Sequence, residues 1–356
     1  MQLGTTVRAL VAVVVLAALL SACGDGNDPA LTAAGLRANT AVAQAATQTR
    51  SVFAAALVGT GADALASFPG LPPAVGPDLP SGRYQWTPDS HGWTRQAAAQ
   101  DLILSWPSGS LRRHRATLTV DWSAGRPTLR VGDGADGKQV VPSQADLTLA
   151  VDGVRRGAVR VELGWHATPC GVVAQPDQLR AAGDLAGDGD LVRLAKANVS
   201  VTGADSAATI ASSGSLTAAS AATGATLSWS ATLHGSVFRN PTTCLPTGLS
   251  IGGGQVRLSL ASAGHAVALK ATFSGVTRDR QGRLQSADLS HGSVSVDGAQ
   301  AFTFRGKLDD ANHDGIPGEH VTLTSPSGAH MDGERFLRRN AGGLLEAAGA
   351  LAHLIR

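Results

Sequence analysis

The sequence predicts a mainly β protein: a wide antiparallel β meander that curls into a half-barrel, a barrel or a sandwich. Three observations predict this fold. Apolar and polar residues alternate with a period of two along most of the chain after residue 82, as in strands that bury one face. Glycine-containing turn dipeptides separate the alternating segments at hairpin spacing. No segment alternates strands with long helices, as a parallel α/β sheet requires.

The composition fits a globular protein and argues against nucleic-acid binding. Hydrophobic residues make up 43% of the 356 residues and charged residues 16%, unlike a disordered tail or a charged coiled coil. The 29 Lys and Arg residues nearly balance the 27 Asp and Glu residues, whereas nucleic-acid-binding proteins usually carry a concentrated basic surplus. We therefore expect no nucleic-acid partner, and the oligomeric state stays open.

Residues 1–22 have the pattern of an export signal. Arg8 is the only charged residue among them, and the apolar run Ala9–Leu20 is too short to span a bilayer stably. The run ends in the motif Leu20-Ser21-Ala22-Cys23, in which a branched apolar residue and two small residues precede a cysteine.

This motif resembles the lipobox of bacterial lipoproteins. The resemblance implies that the Cys23 thiol carries a diacylglycerol, that the preceding peptide is removed, and that the new amino terminus takes an acyl chain such as palmitate. Several acyl chains anchor a protein firmly, whereas one anchors it marginally. The implied location is the cell envelope, in the outer membrane or on the outer face of the cytoplasmic membrane. An ordinary secretory signal is the alternative.

The segments on either side of the β region are predicted to be mostly helical. Residues 23–31 form a tether, and residues 32–82 contain one or two helices followed by a linker that prolines interrupt from Pro69 to Pro80. The last segment, residues 327–356, is predicted to be helical from about Gly333 and to pack on the sheet. The alternative for this last helix is a membrane-surface or partner-binding helix.

Residues 83–326 are predicted to form an antiparallel β domain of about a dozen strands. Hairpin turns are expected at Asp152-Gly153, Ala263-Gly264 and Asp297-Gly298. The alternation slips near Gly292, because Leu289 is odd while Val294 and Val296 are even, and a β-bulge there would restore the buried face. Residues 172–222 are rich in Ala, Ser and Gly with weak alternation, and are also assigned to strands.

Two cysteines remain once Cys23 is assigned to the anchor. Cys170 and Cys244 both lie in Pro/Thr-rich loops, and two thiols outside the cytoplasm are expected to form a disulfide. Two free buried thiols or a metal pair are the alternatives, and the lack of nearby ligand spacing argues against zinc.

An acidic loop near the end of the β region is a candidate calcium site. Its ligands would be the side chains of Asp310, Asn312, Asp314 and Glu319 and the carbonyl of Ile316. The run resembles the opening of EF-hand-like calcium loops, but the twelfth position is valine, so the usual bidentate glutamate is absent. A hairpin loop capped by its own Asp and Asn side chains is the alternative.

A serine in a Gly-x-Ser-x-Gly pattern raises the possibility of a hydrolase. The pattern is centred on Ser250, but a hydrolase needs a strand before the serine and a helix after it. Here a Pro/Cys loop precedes the serine and an alternating segment follows it, which argues against a nucleophile elbow.

Aromatic residues cluster early in the β region. Trp106 and Trp122 end alternating segments, so we expect them near one rim of the sheet. Core packing explains the cluster, and a sugar- or lipid-facing platform is the alternative.

The function expected from the sequence is a lipid-anchored envelope protein with a non-catalytic structural or ligand-binding β domain. A carrier of lipid or another hydrophobic ligand is the first alternative, because a curled sheet with one apolar face resembles the general plan of periplasmic lipoprotein carriers. A serine hydrolase acting through Ser250 is the second. The expected partners are the membrane, through the anchor, and a hydrophobic or glycan ligand.

Overall fold

The protein is mainly β with very little helix, as the sequence predicts. The structure, a computed structural model, describes residues 44, 48, 52, 60–72, 81–109, 112–122, 128–130, 138–140, 142–167, 174–186, 191–219, 223–241, 246–262, 264–278, 284–309, 311 and 318–334. Within these ranges it contains eighteen strands and a helix of seven residues, α1 (Thr60–Ala66). Gln44, Gln48, Val52 and residues 333–334 are also helical.

The chain divides into two compact units. The first unit comprises Ala55–Val201 and Arg239–Thr247. Its strands follow the order β10-β9-β8-β7-β4-β3-β1-β2, and β5 pairs with β6 separately. The strand bounds are β1 Gly82–Thr87, β2 Gly92–Ala97, β3 Leu102–Ser108, β4 His114–Asp121, β5 Thr128–Arg130, β6 Lys138–Val140, β7 Gln144–Val151, β8 Val154–Ala167, β9 Ala174–Ala186 and β10 Leu191–Thr202.

One strand pair of the first unit departs from the predicted antiparallel pattern. Strand β1 pairs with β2 antiparallel and with β3 parallel. Strand β1 lies between β2 and β3 in the sheet. After β2 the chain therefore passes β1 and forms β3 on its far side. A hydrogen bond from the Gly82 N–H to the Asp101 carbonyl, at 2.8 Å, fixes this return.

The second unit comprises Met1–Ala54, Thr202–Phe238 and Gly248–Arg356. Its strands follow one another in chain order from β11 to β18, and a single 3₁₀ turn, Asp205–Ala207, precedes β11. The strand bounds are β11 Ala208–Ala219, β12 Gly224–Arg239, β13 Pro246–Ser262, β14 His265–Arg278, β15 Leu284–Val296, β16 Ala299–Asp309, β17 His320–Thr324 and β18 His330–Asp332.

Both units contain an open meander. Among the described strands, the first and last of each order do not pair with each other, so neither sheet closes into a barrel. The predicted antiparallel meander is confirmed, and the closed-barrel alternative is wrong. Three strands of the structure, β9 to β11, occupy the Ala/Ser/Gly-rich region, where small residues hide the alternation because their hydropathies differ little.

The core of the first unit is a tryptophan-rich layer between the sheet and α1. Trp106 is 2% exposed, and its indole N–H donates to the Ala64 carbonyl at 3.1 Å. The Phe68 ring meets the Trp106 ring edge-on with centroids 5.0 Å apart. Trp93 donates to the Gly70 carbonyl at 3.1 Å, so two indoles hold the segment that contains and follows α1.

The core of the second unit is an aliphatic face that runs across its strands. Alternating residues of these strands are buried: Val256, Leu258, Leu260, Val267, Leu269, Ala271, Phe273, Val294, Val296, Phe302, Phe304, Leu308, Val321 and Leu323. Val52, one of the helical residues of this unit, is also buried. The helical segment predicted ahead of the β region therefore contributes at least one side chain to a core.

The predicted bulge and two predicted turns are present. The β14–β15 and β15–β16 registers both shift at Ser290 and His291, next to Gly292, and Leu289 and Val294 are both buried on either side. Asp152-Gly153 and Asp297-Gly298 form the β7–β8 and β15–β16 turns, with positive φ at both positions of each turn, as a type I′ hairpin requires.

The ends of the chain are described only in part. Residues 330–332 of the segment predicted as the C-terminal helix form β18, and residues 333–334 are helical. The rest of the predicted C-terminal helix lies outside the described residues, as do residues 1–22 and the tether. Among the described residues, no helix is both long and apolar enough to cross a membrane.

Candidate functional site

The base of the candidate calcium loop is described, whereas most of its predicted ligands are not. Asp310, Asn312, Asp314 and Ile316 lie outside the described residues. At the base, the Gly318 N–H donates to the Asp309 carbonyl at 2.7 Å, which closes the loop between β16 and β17. The Asp309 carboxylate accepts a hydrogen bond from His320 Nδ1 at 2.8 Å, so this carboxylate is already bonded to a side chain of β17.

Metal binding by this loop stays a prediction. Of the five proposed ligands the structure describes Glu319, which is half-buried beside the base of the loop. Within the described ranges, no group of three or more His, Cys, Asp or Glu side chains is placed to hold a metal ion.

The predicted lipid anchor and disulfide also stay predictions. Cys23, Cys170 and Cys244 all lie outside the described residues. The strands that flank the two later cysteines are described: β8 and β9 border Cys170, and β12 and β13 border Cys244. The segments containing both cysteines fall within the ranges of the first unit.

Ser250 lies inside a strand and not at a strand-to-helix turn. Strand β13 runs from Pro246 to Ser262 without interruption, and Ser250 is an exposed residue near its start. A nucleophile elbow needs a sharp turn into a helix that lifts the serine above the sheet. The structure therefore lacks the backbone geometry on which the hydrolase hypothesis depends.

The aromatic cluster lies in the core of the first unit. Trp106 pairs with Ala116 in the β3–β4 register, whereas Trp122 follows the opposite end of β4, six residues further along. At about 3.4 Å per residue, the Trp106–Ala116 pair and Trp122 are roughly 20 Å apart along the strand direction. The prediction that these two residues share a rim is wrong, because consecutive antiparallel strands end at opposite edges.

The outward face of the first unit carries matched charges. Arg160 Nε donates to Asp146 Oδ1 at 2.7 Å, and the two residues face each other across β7 and β8. This hydrogen bond holds the pKa of Asp146 below its ordinary value, and the bond from Gln144 lowers it further. In the next strand pair, Glu162 faces Arg180 at 3.8 Å. Both pairs place opposite charges opposite each other, which stabilises a sheet, whereas Asp146 faces a second carboxylate, Asp121, on the β4 side.

The outward face of the second unit contains a matched pair, Asp288 with Lys307, and also a pair of like charges. Arg257 on β13 and Lys270 on β14 are direct register partners, and both are exposed. Their chain neighbours Val256, Leu258 and Leu269 are buried, so alternation places both cations on the face opposite the core. Neither cation forms an ion pair with the residues that the structure describes. Two like charges thus face each other without a carboxylate between them.

The sequence contains a signal for this pair in the turn that joins its two strands. A two-residue turn at Ala263-Gly264 joins the two alternating segments, and such a turn pairs Ser262 with His265. Counting outward from that pair brings Arg257 opposite Lys270. Motifs along the chain do not reveal the pair, because its two members meet only across the predicted hairpin.

Comparison with known proteins identifies no relative of this chain. No protein-family model matches it, and no curated protein or solved structure is significantly similar to it. The functional argument therefore rests on the residues and the geometry of the described strands.

Proposed function

We propose that the protein is a lipid-anchored component of the bacterial cell envelope whose β domain acts by binding and not by catalysis. The observation that carries the anchor is the motif Leu20-Ser21-Ala22-Cys23 after a short apolar run. The observation that favours binding is the sheet itself, which buries one face and presents the other as a broad polar surface.

Labelling with a radioactive fatty acid tests the anchor. Cells producing the full chain and fed labelled palmitate should give a labelled protein in the membrane fraction. The Cys23→Ser variant should take up no label and keep its signal peptide, because the thiol that accepts the diacylglycerol is gone.

Cys170→Ser and Cys244→Ser are the matched controls, since each removes one thiol elsewhere, and both should be labelled like the wild type. Label retained by Cys23→Ser, or lost equally from all three variants, would show that the motif does not direct lipidation. We expect the two control variants to lose stability together if Cys170 and Cys244 form a disulfide.

A carrier of lipid is the second candidate function. The aliphatic core of the second unit is compatible with it, because a ligand held beside these buried side chains would be apolar. A structural calcium ion in the loop Asp310–Glu319 is compatible with either function.

Native mass spectrometry of the purified full chain distinguishes these cases. A carrier should show a non-covalent lipid mass that solvent extraction removes, and calcium should appear as a mass of one ion that a chelator removes. Asp314→Ala should lose the ion, whereas Asp188→Ala, which replaces an aspartate between β9 and β10, should retain it. A wild-type spectrum without lipid or ion would contradict both the carrier and the calcium site.

A further inference from the structure

The facing cations Arg257 and Lys270 cost the sheet stability. Like charges directly opposite each other on one face of an antiparallel pair are destabilising. Most facing charges of the first unit are of opposite sign, because Asp146 faces Arg160, Glu162 faces Arg180 and Asp184 faces Arg193, although Asp146 also faces Asp121 on its other side. The second unit also has a pair of opposite charge, Asp288 facing Lys307, whereas Arg257 and Lys270 are two cations that face each other. Departures of this kind from local rules are expected at functional sites.

The surroundings of the two cations are rich in hydroxyl groups. On the next three strands, the residues in register with Lys270 are Ser293, Thr303 and Thr324, and together these partners form one row across the sheet. A third exposed cation, Arg305, lies on β16 two residues from Thr303, and it too forms no ion pair with a described residue. At about 4.8 Å between strands, β16 is roughly 10 Å from the strand of Lys270.

The hydroxyl groups extend to the first two strands of the unit. On β11 and β12, Ser215 faces Ser228 with oxygens 3.2 Å apart, and Thr217 faces Thr226 at 3.4 Å. A Cβ on Gly254 would contact the backbone of Leu233, and antiparallel pairing from that point brings Ser230 beside Arg257. The cations thus lie within a field of short, neutral donors and acceptors.

From this arrangement we propose that the outward face of the second unit binds an acidic polysaccharide, with Arg257 and Lys270 as its anionic-group site. Carboxylates or phosphates of the polymer accept charge-assisted hydrogen bonds from the guanidinium and the ammonium group, which relieves the repulsion between them. The serine and threonine rows bond the sugar hydroxyls. The proposal rests on the proposed function in placing this face outside the cytoplasm.

The same observations disfavour two other anionic partners. A membrane surface is normally met by apolar side chains as well as cations, and the residues flanking the pair on its two strands are Gln255, Ser259, Ala268 and Thr272. Single-stranded nucleic acid needs exposed aromatic rings for stacking, and the rows around the pair contain no Phe, Tyr or Trp.

Binding to an immobilised acidic polymer tests the proposal. The probe is polygalacturonate, with neutral dextran as the comparison polymer, and the sample is the full chain in a mild non-ionic detergent. The wild type should bind polygalacturonate and not dextran, with affinity that falls as salt rises. The variant Arg257→Gln/Lys270→Gln should lose at least about tenfold in affinity, since two charge-assisted contacts are removed.

The matched control is Arg193→Gln/Lys196→Gln, which removes the same charge from exposed positions of the first unit. It should bind polygalacturonate like the wild type. Lys270→Glu guards against misfolding as the cause of lost binding. It places a carboxylate opposite Arg257, so its melting temperature should equal or exceed that of the wild type while binding is lost.

Three results would overturn the proposal: no binding of polygalacturonate by the wild type, equal loss in the control variant, or capture by phosphatidylglycerol vesicles but not by the polymer. The palmitate-labelling experiment is read separately. Labelled protein without polymer binding rejects the ligand alone, and polymer binding without label rejects the anchor alone.

Discussion

Gly292 shows how closely one residue is fixed by its neighbour across the sheet. It pairs with Phe304, whose ring occupies the space where a side chain would begin, and a Cβ there would overlap the ring edge. Phe304 itself is buried. An aromatic ring that covers a strand glycine in this way compensates for the packing that the glycine lacks.

Gly292→Ala should therefore destabilise the protein by at least about 2 kcal/mol, because the buried ring must leave its place. Gly252→Ala is the control, since a Cβ at that exposed strand position meets only the His234 carbonyl at 3.8 Å. It should change stability by less than about 0.5 kcal/mol. The midpoints of urea unfolding measure both, and similar midpoints would show that Phe304 moves aside at little cost.

Individual side chains also show where prediction from the sequence ends. The slip in alternation between Leu289 and Val294 was sufficient to predict the bulge. It was not sufficient to predict that Phe304 fills the gap, because that depends on the register of the next strand. The repulsive pair Arg257–Lys270 was within reach of sequence reasoning, since a single turn sets its register.

Among the elements, the two Asp-Gly hairpins share one set of hydrogen bonds. At the β15–β16 turn, Asp297 accepts from the Ala266 N–H at 2.8 Å and from His265 Nδ1 at 2.9 Å. At the β7–β8 turn, Asp152 accepts from the Arg115 N–H at 2.8 Å and from His114 at 2.6 Å. Each turn is thus tied to the start of the strand beside its hairpin.

These bonds give the protein a defined response to acid. The backbone N–H of Ala266 is the main cause that lowers the pKa of Asp297 below its ordinary value of 3.8, and His265 contributes next. A carboxyl whose pKa is lower in the folded state stabilises the fold fully above its ordinary pKa. This stabilisation is lost as the pH falls through that value toward the lower pKa of the folded protein.

Asp297→Asn should reduce this acid sensitivity without changing the turn. Asn-Gly suits the same type I′ geometry, so the substitution removes the charge and retains an acceptor. Between about pH 5 and about pH 3, the urea midpoint of the variant should fall less than that of the wild type. The urea midpoint of the control variant Asp89→Asn, which changes a residue in an exposed turn, should fall as much as that of the wild type. An equal fall in all three proteins would show that the turn does not contribute.

The strands themselves were predictable where their residues differ in hydropathy. Val256, Leu258 and Leu260 alternate with polar residues and are buried as expected. In β9 to β11, Ala, Ser and Gly occupy both faces, and the strand bounds there come from pairing and not from pattern. The positions of Trp106 and Trp122 were misjudged because chain direction, and not residue type, decides which edge a strand end reaches.

At the scale of the whole molecule, the same strand arrangement occurs in both units. In the first unit β3, β4, β7 and β8 are neighbours, and in the second β13, β14, β15 and β16 are neighbours. In each set a histidine begins the second strand, and a Val-Asp-Gly turn joins the last two: Val151-Asp152-Gly153 and Val296-Asp297-Gly298. The recurrence indicates that the two units use one four-strand plan.

Fold class followed from local patterns, whereas the openness of the sheets did not. Turn dipeptides and alternation act over a few residues, and they predicted an antiparallel meander correctly. Whether a meander closes depends on the strands at its two ends, and no local pattern in β2, β10, β11 or β18 reports on that. The parallel pairing of β1 with β3 escaped prediction for the same reason.

The strand order also determines how the chain reaches its native topology. In the second unit each strand hydrogen-bonds to the one before it in the chain, so most pairings close only a short loop and pay little chain entropy. Folding can start at any hairpin and extend outward one strand at a time, which favours fast folding for a sheet of this width. The first unit contains one larger step, because the pairing of β7 with β4 closes a long loop that contains β5 and β6. We expect that closure to be the slow one.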